Sequence, residues 1–403
     1  MTISPTKNST LSEKKSNNSL DPLALIDVDH VRFWVGNAKQ AAYFYAQAFG
    51  FSVSQISDLT TGSRDTSQYL LTQGNIRFIL ETPLNSSHPA GNELLLYGDG
   101  IKDVAFTVAC AEKAYERAVK NGAISLSEPE TMSNQNGSVT TASIKSYGRA
   151  IHTFVSRTGK FNIENIRNGY PLMPSFKTFD FYLNQYNKSN PCGLMYVDHC
   201  VGNVEQGKMN YWVDWYENVL EFKMFKHFDD SDISTEYSAL MSKVMASGNQ
   251  LIKMPINEPA EGKKKSQIQE YLEWHNMTPG IQHLALRTND ELRSVAELRK
   301  RGVEFLSLPD TYYELVWDRV NKTLISHGHN PVKEDHDRIR DLGILVDADD
   351  EGYLLQLFTM PLQDRPTLFF EIISRHGSQS FGKGNFKALF EALELEQERR
   401  GNL

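Results

Sequence analysis

The alternation of apolar and polar positions along the chain follows a pattern that occurs twice. Asp27-Val28-Asp29-His30-Val31 opens one strand-like apolar run, and Tyr196-Val197-Asp198-His199-Cys200 opens another. Each run leads into a stretch of helical periodicity. Ala41, Phe44, Tyr45, Ala48 and Phe49 recur at spacings of three and four in the first, as do Trp212, Trp215, Tyr216 and Val219 in the second. Each stretch then returns to an aromatic, Phe51 or Phe222.

A second pair of segments matches further along. Gly100-Ile101-Lys102-Asp103-Val104-Ala105-Phe106 parallels Gly280-Ile281-Gln282-His283-Leu284-Ala285-Leu286, and the interval from Asp103 to Gly122, like that from His283 to Gly302, is 19 residues. Both intervals read as a strand, a helix (Ala111 to Lys120; Asp290 to Lys300) and a glycine just past the helix end. A third echo pairs Thr153-Phe154-Val155-Ser156-Arg157 with Glu371-Ile372-Ile373-Ser374-Arg375. The chain therefore reads as two similar halves, each of two strand–helix–strands modules. The expected domains are 21–175 and 190–385, joined by a linker at 186–192, with a closing helix over 385–403 whose Phe386, Leu389, Phe390 and Leu393 share a face. The first 20 residues, rich in Ser, Thr, Asn and Lys, bury too little to offset their ordering entropy and are expected to be a disordered tail.

Composition narrows the function classes. A chain of 403 residues has room for two domains, and 40% hydrophobic with 23% charged residues reads as a soluble globular protein. A net charge of -8 argues against nucleic acid or an anionic membrane as the partner, and no apolar run reaches membrane-spanning length. Cys110, Cys192 and Cys200 cannot form a disulfide framework and contain no CxxC pair, which points to a reducing compartment and away from thiolate-bound zinc. The tail has neither a signal-like apolar region nor an arginine, so a cytoplasmic address is expected.

The repeat also locates candidate chemistry. Its three matched positions hold His30, Asp103 and Thr153 in the first half and His199, His283 and Glu371 in the second. Two imidazoles and one carboxylate on one face of an octahedral ion leave three coordination places free, the arrangement of non-heme Fe(II) oxygenases. The first set has a hydroxyl where the carboxylate stands, so it is expected to hold no iron. A lone histidine on an apolar strand is more often a satisfied core residue, and that reading is adopted for His30, His152, His227 and His275. It is reversed for His199 and His283 because Glu371 lies in the apolar run Leu368 to Ile373, where an ionised carboxylate is costly unless paired or metal-bound.

At these residues the chain resembles the 4-hydroxyphenylpyruvate dioxygenases, of the vicinal oxygen chelate superfamily. The resemblance covers nearly everything after the tail. It is carried by Lys253-Met254-Pro255-Ile256-Asn257-Glu258-Pro259, by Lys263 to Tyr271, by Gly280-Ile281-Gln282-His283, by Phe305-Leu306 to Pro309 and by Tyr312-Tyr313. Gly352 to Phe358, Asp364-Arg365-Pro366-Thr367 before Glu371, and Phe381-Gly382-Lys383-Gly384-Asn385-Phe386 complete it. The sequence departs from the family around Trp274 to Met277, where relatives carry a glycine-rich loop. It is also unusual at His327-Gly328-His329 to His336, read as a solvated loop.

The resemblance implies an α+β fold of tandem βαβββ modules forming two open barrels, with one Fe(II) per chain held by His199, His283 and Glu371. It implies 4-hydroxyphenylpyruvate and O2 as substrates, homogentisate and CO2 as products of tyrosine catabolism, a last helix gating the pocket, and a homodimer or homotetramer. The substrate supplies its own 2-oxo acid, so no separate one is needed. Ser242, Asn257, Gln267, Gln282 and Gln356 match the family's polar surroundings of the substrate, and Phe358, Phe381 and Phe386 its aromatic clamp. Strict strand alternation turns Gln282 away from His283, so both serve one site only if the strand is twisted or bulged there. Two other readings stay open: 4-hydroxymandelate synthase, which shares ligands and substrate, and a non-catalytic ligand-binding protein of the same fold.

Overall fold

The computed structural model describes residues 23–228, 239–260 and 265–385, with 388, 394 and 396–401. The expected tail, most of the expected closing helix, Phe386 and part of the lysine run at 263–265 lie outside the described residues.

The first half builds a sheet from β1 (Leu25–Trp34), β2 (Ser52–Ser57), β3 (Thr66–Gln73), β4 (Ile76–Pro83), β5 (Gly100–Val108), β6 (Ser125–Asn134), β7 (Gly137–Lys145), β8 (Ile151–Arg157) and β9 (Lys177–Thr178). Its order is β6-β7-β8-β5-β1-β4-β3-β2-β9. The second half builds another from β10 (Tyr196–Asn203), β11 (Lys223–Phe228), β12 (Ala239–Ala246), β13 (Lys253–Ala260), β14 (Gly280–Arg287), β15 (Leu345–Ala348), β16 (Tyr353–Phe358) and β17 (Phe369–His376). Its order, β11-β12-β13-β10-β14-β17-β16-β15, is the first read backwards without β9. In each half two βαβββ modules meet along a central antiparallel pair, β1 with β5 and β10 with β14, flanked by parallel pairs. The paired modules expected from the repeat are thus present in both curled sheets.

The module helices form where expected, with local causes. Ala111–Lys120 and Glu291–Lys300 follow β5 and β14, and the second is capped by Asp290, whose side chain accepts the Arg293 N–H. Ala38–Phe49 is capped by Asn37 and stopped by Gly50 at φ 73°. Its buried stripe is Ala38, Ala42, Tyr45, Ala46, Ala48 and Phe49, while Phe44 is 42% exposed, against expectation. The periodicity fitted either of two adjacent faces, and the small alanines let this one approach the sheet. Residues 186–189, expected in a linker, belong to the helix Asn184–Ser189. The Asn187 amide donates to the Ala46 and Phe51 carbonyls, as Asn184 just before the expected linker does to Val53, so a side chain that read as linker is buried as a cap for loose backbone.

His152 and His275 are core histidines as expected. Burial pulls them down to about 4 and about 3, and each is held through Nδ1 by a carbonyl, of Val104 and Thr278. His227 is exposed on β11 and is no core residue. In the segment Trp274 to Met277, expected to depart from the family, Asn276 and Met277 both sit at φ 54°. A left-handed residue with a Cβ is strained by about 1–2 kcal/mol, and Met277 is 57% exposed, so it has little packing to lose. Met277→Gly is therefore expected to stabilise the protein by about 1 kcal/mol, the strain relief less glycine's chain entropy, read from urea denaturation.

One continuous hydrophobic core serves both halves, running from Leu23 to Ile372. At its centre Phe370, fully buried, packs its ring against Tyr45, Phe49 and Phe78 of the first half at 5.8, 5.2 and 5.8 Å. At Gly148 (φ 59°) a side chain would run into the Pro279 carbonyl, so the halves also touch backbone to backbone. No helix among the described residues is long and apolar enough to cross a membrane, and all three cysteines are free.

Candidate metal centre

Strand register brings the three matched residues of the second half together. β10 pairs with β14 so that His199 lies opposite Ala285, and β14 pairs with β17 so that Ala285 lies opposite Glu371. His283, two residues before Ala285, shares its face. The ligating atoms of His199, His283 and Glu371 all lie within 4.8 Å of one another, and all three residues are buried. Glu371 Oε2 is 3.2 Å from His199 Nε2 and 3.6 Å from His283 Nε2.

Two bulges complete the geometry. Between Val197 and His199 the register slips by one residue at Asp198, and between His283 and Ile281 it slips at Gln282. A bulge re-aims side chains that strict alternation would send to opposite faces. Asp198 Oδ1 thereby reaches His199 Nδ1 at 2.8 Å, and Gln282 Oε1 reaches His283 Nδ1 at 3.0 Å. With each Nδ1 hydrogen donated to an oxygen, each Nε2 presents its lone pair to the common point. Two such nitrogens and a carboxylate oxygen fit a divalent cation bound at roughly 2.0–2.2 Å from each.

Electrostatics agree with that fit. Burial would push the Glu371 carboxyl up, but the charge and hydrogen bond of His199, with those of His283, bring it down to about 2. Burial would pull His199 down, yet Glu371 and Asp198 raise it, whereas His283 is lowered by its burial. Further back stands Glu291, fully buried with neither carboxylate oxygen hydrogen-bonded. Burial and then the charge of Glu371 push it well above the usual range. A carboxyl raised in the folded state costs nothing below its unfolded pKa of about 4.3 and destabilises increasingly as pH rises above it. Glu291→Met is therefore expected to stabilise the protein more at pH 7 than at pH 4, by roughly 1–3 kcal/mol at the higher pH, as read by urea titration at both.

The other candidate residues are placed as follows. Ser242 and Asn257 are buried neighbours in the β12–β13 pairing. Gln267 is half-buried at the start of the helix Gln267–Trp274. Gln356 is 1% exposed with its Oε1 unpartnered, tight against Gly382. The Phe381 ring is 4.9 Å from His199 and the Phe358 ring 6.2 Å from His283. Gln282, expected to face a substrate, reaches His283 Nδ1 with its amide oxygen. The sequence reading overlooked Phe369, stacked on His283 at 4.6 Å, and the pair Asp198–Arg375. The latter was signalled by the Asp-His doublet and the arginine ending the third echo, both present in each half.

In the first half the same register places His30 opposite Ala105, and Asp103 two residues away. There Thr153 Oγ1 donates to Asp103 at 2.5 Å, and His30 Nε2 and Asp103 Oδ1 are buried without partners. The only grouping of three His, Cys, Asp or Glu suited to a metal among the described residues is that of the second half.

Comparison with known proteins agrees with this architecture. The Glyoxalase/Bleomycin resistance protein/Dioxygenase superfamily matches residues 27–142 and 196–316, one stretch in each half. A 4-hydroxyphenylpyruvate dioxygenase of Tetrahymena thermophila is 46% identical over 380 residues, covering 93% of this chain and 91% of that protein. One of Yarrowia lipolytica is 45% identical over 396 residues, covering 96% and 95%. Among solved structures, a triple mutant of 4-hydroxymandelate synthase from Streptomyces coelicolor superposes with a TM-score of 0.77 at 25% identity, covering 93% of this chain and 99% of that one.

Proposed function

Since the chain belongs to the 4-hydroxyphenylpyruvate dioxygenase family, we propose that His199, His283 and Glu371 hold one Fe(II) per chain as the centre of its reaction. The protein is a dioxygenase that converts 4-hydroxyphenylpyruvate and O2 to homogentisate and CO2 in tyrosine catabolism. The observation that supports the ligand assignment best is the convergence of two Nε2 lone pairs and one carboxylate, each imidazole fixed through its Nδ1.

Iron bound there supplies places for a 2-oxo acid and for O2, and the electrons that activate O2. The chain's own residues do the rest. Ser242, Asn257, Gln267 and Gln356 offer neutral hydroxyl and amide groups that orient the phenol and the oxo acid without adding charge beside the metal. Phe358 and Phe381 clamp the ring and exclude water; Phe386, expected to join them, lies outside the described residues. Gln282 takes a double role, its oxygen holding His283 and its NH2 free for the substrate.

Residues 21–175 form the metal-free domain of this reading and 190–385 the catalytic one, with 385–403 as a gate. Support for the gate is the Arg400 guanidinium, which pairs with Glu270 at 2.7 Å on the helix that Gln267 begins. A homodimer or homotetramer in the cytoplasm completes the proposal. Oxygen uptake by the purified, Fe(II)-loaded protein with 4-hydroxyphenylpyruvate, followed by product identification, tests it. Homogentisate is expected. 4-Hydroxymandelate would assign the sister activity, and no oxygen consumption would leave a ligand-binding protein.

A further inference from the structure

We propose that Arg375 is a positioning residue that sets His199 and Phe381 together, so that metal affinity and substrate affinity in this site are linked through one guanidinium. The inference rests on the reading of His199 as a metal ligand and goes beyond it. Arg375 lies four residues past Glu371 at the end of β17, with its side chain 5% exposed. Nε donates to Asp198 Oδ2 at 2.9 Å and Nη2 to Asp198 Oδ1 at 2.7 Å. The same Oδ1 accepts from His199 Nδ1 at 2.8 Å. On its other side Arg375 Nη1 donates to the carbonyl of Ser380, and to that of Ser378 at 3.4 Å, in the turn that presents Phe381. The guanidinium carbon is 5.5 Å from the centre of the Phe381 ring, and that ring is 4.9 Å from His199. The contacts close a circuit of Arg375, Asp198, His199 and Phe381.

The first half provides a comparison within the molecule. There Arg157 holds Asp29 through both terminal nitrogens, and Asp29 accepts from His30 Nδ1 at 2.7 Å. The clamp ends at the aspartate, because Arg157 Nε is buried without a partner, the following residues are Thr158, Gly159 and Lys160, and no aromatic ring among the described residues packs against His30. Holding the aspartate is therefore common to both halves and serves the fold. The extension from Arg375 to the turn 378–381 occurs only where a metal would sit. A planar fork can donate in two directions at fixed angles, which the single ammonium of lysine cannot do.

The test compares Arg375→Lys, Asp198→Asn and Arg157→Lys in two measurements: Fe(II) or Co(II) affinity by equilibrium dialysis, and substrate KM from oxygen uptake with 4-hydroxyphenylpyruvate. Arg375→Lys is expected to weaken metal binding about 10–100-fold, as loss of an outer support does, and to raise KM as well. Asp198→Asn should weaken the metal with KM within about twofold, since the turn keeps its arginine. Arg157→Lys should lower thermal stability and change neither metal affinity nor KM. In a Phe381→Leu background the effect of Arg375→Lys on KM should largely vanish, a cycle that stays readable if one single variant folds poorly. If Arg375→Lys behaves like Arg157→Lys, or moves metal affinity with KM unchanged, the linkage is overturned. If the unaltered chain binds neither ion at this site, it is the metal-ligand reading that fails.

Discussion

Glu371→Gln is expected to abolish turnover and to weaken metal binding by more than the roughly 100-fold that loss of an outer support causes. The substitution preserves shape and removes one charge. In the folded chain that charge is fully buried, held at about 2 by the two histidines, and is the sole anionic donor of the group. A neutral amide in its place leaves a divalent cation with two imidazoles in an apolar wall, where charge is poorly solvated. Metal content by elemental analysis and oxygen uptake should fall together, with the fold intact by circular dichroism. Near-full activity would mean the ligand set is assigned to the wrong residues.

The second large effect is expected one residue earlier. Phe370→Ala should destabilise the protein by about 3–5 kcal/mol, the range for deleting a fully buried phenylalanine ring. It should also reduce metal affinity, although the Phe370 side chain faces away from the metal point. Alternation along β17 sends Glu371 to the site and Phe370 to the opposite face, among the rings of Tyr45, Phe49 and Phe78. The first half thus supports the strand from behind, and a cavity there lets the carboxylate drift. Denaturant titration gives the first quantity and dialysis the second. A loss of stability with unchanged metal affinity would show that the strand is held by its own sheet alone.

What the sequence made legible was whatever depends on local period and on comparing one half with the other. The strand–helix–glycine intervals after Asp103 and His283 became modules because caps and periodicity are encoded within about twenty residues. The convergence of His199, His283 and Glu371 could be expected because the repeat aligned them, even though each lies on a different strand. Features that depend on how distant strands pair were hidden. The slips at Asp198 and Gln282 follow from register between β10 and β14, and no alternation rule applied to either strand alone yields them. The same holds for Phe369 stacked on His283, which reads as one more apolar residue in a run. Asn187 looked like linker because its polarity is local, while the carbonyls it satisfies belong to segments more than 130 residues away.

The shared core described above has a thermodynamic consequence. Duplication left two look-alike lobes, but a melting experiment cannot count them. Leu23 and Ile372 belong to the same apolar cluster, so parting the lobes would wet surfaces that each needs dry. The molecule then behaves as one cooperative unit, with a single calorimetric peak and release of the bound ion coinciding with loss of the aromatic near-ultraviolet signal.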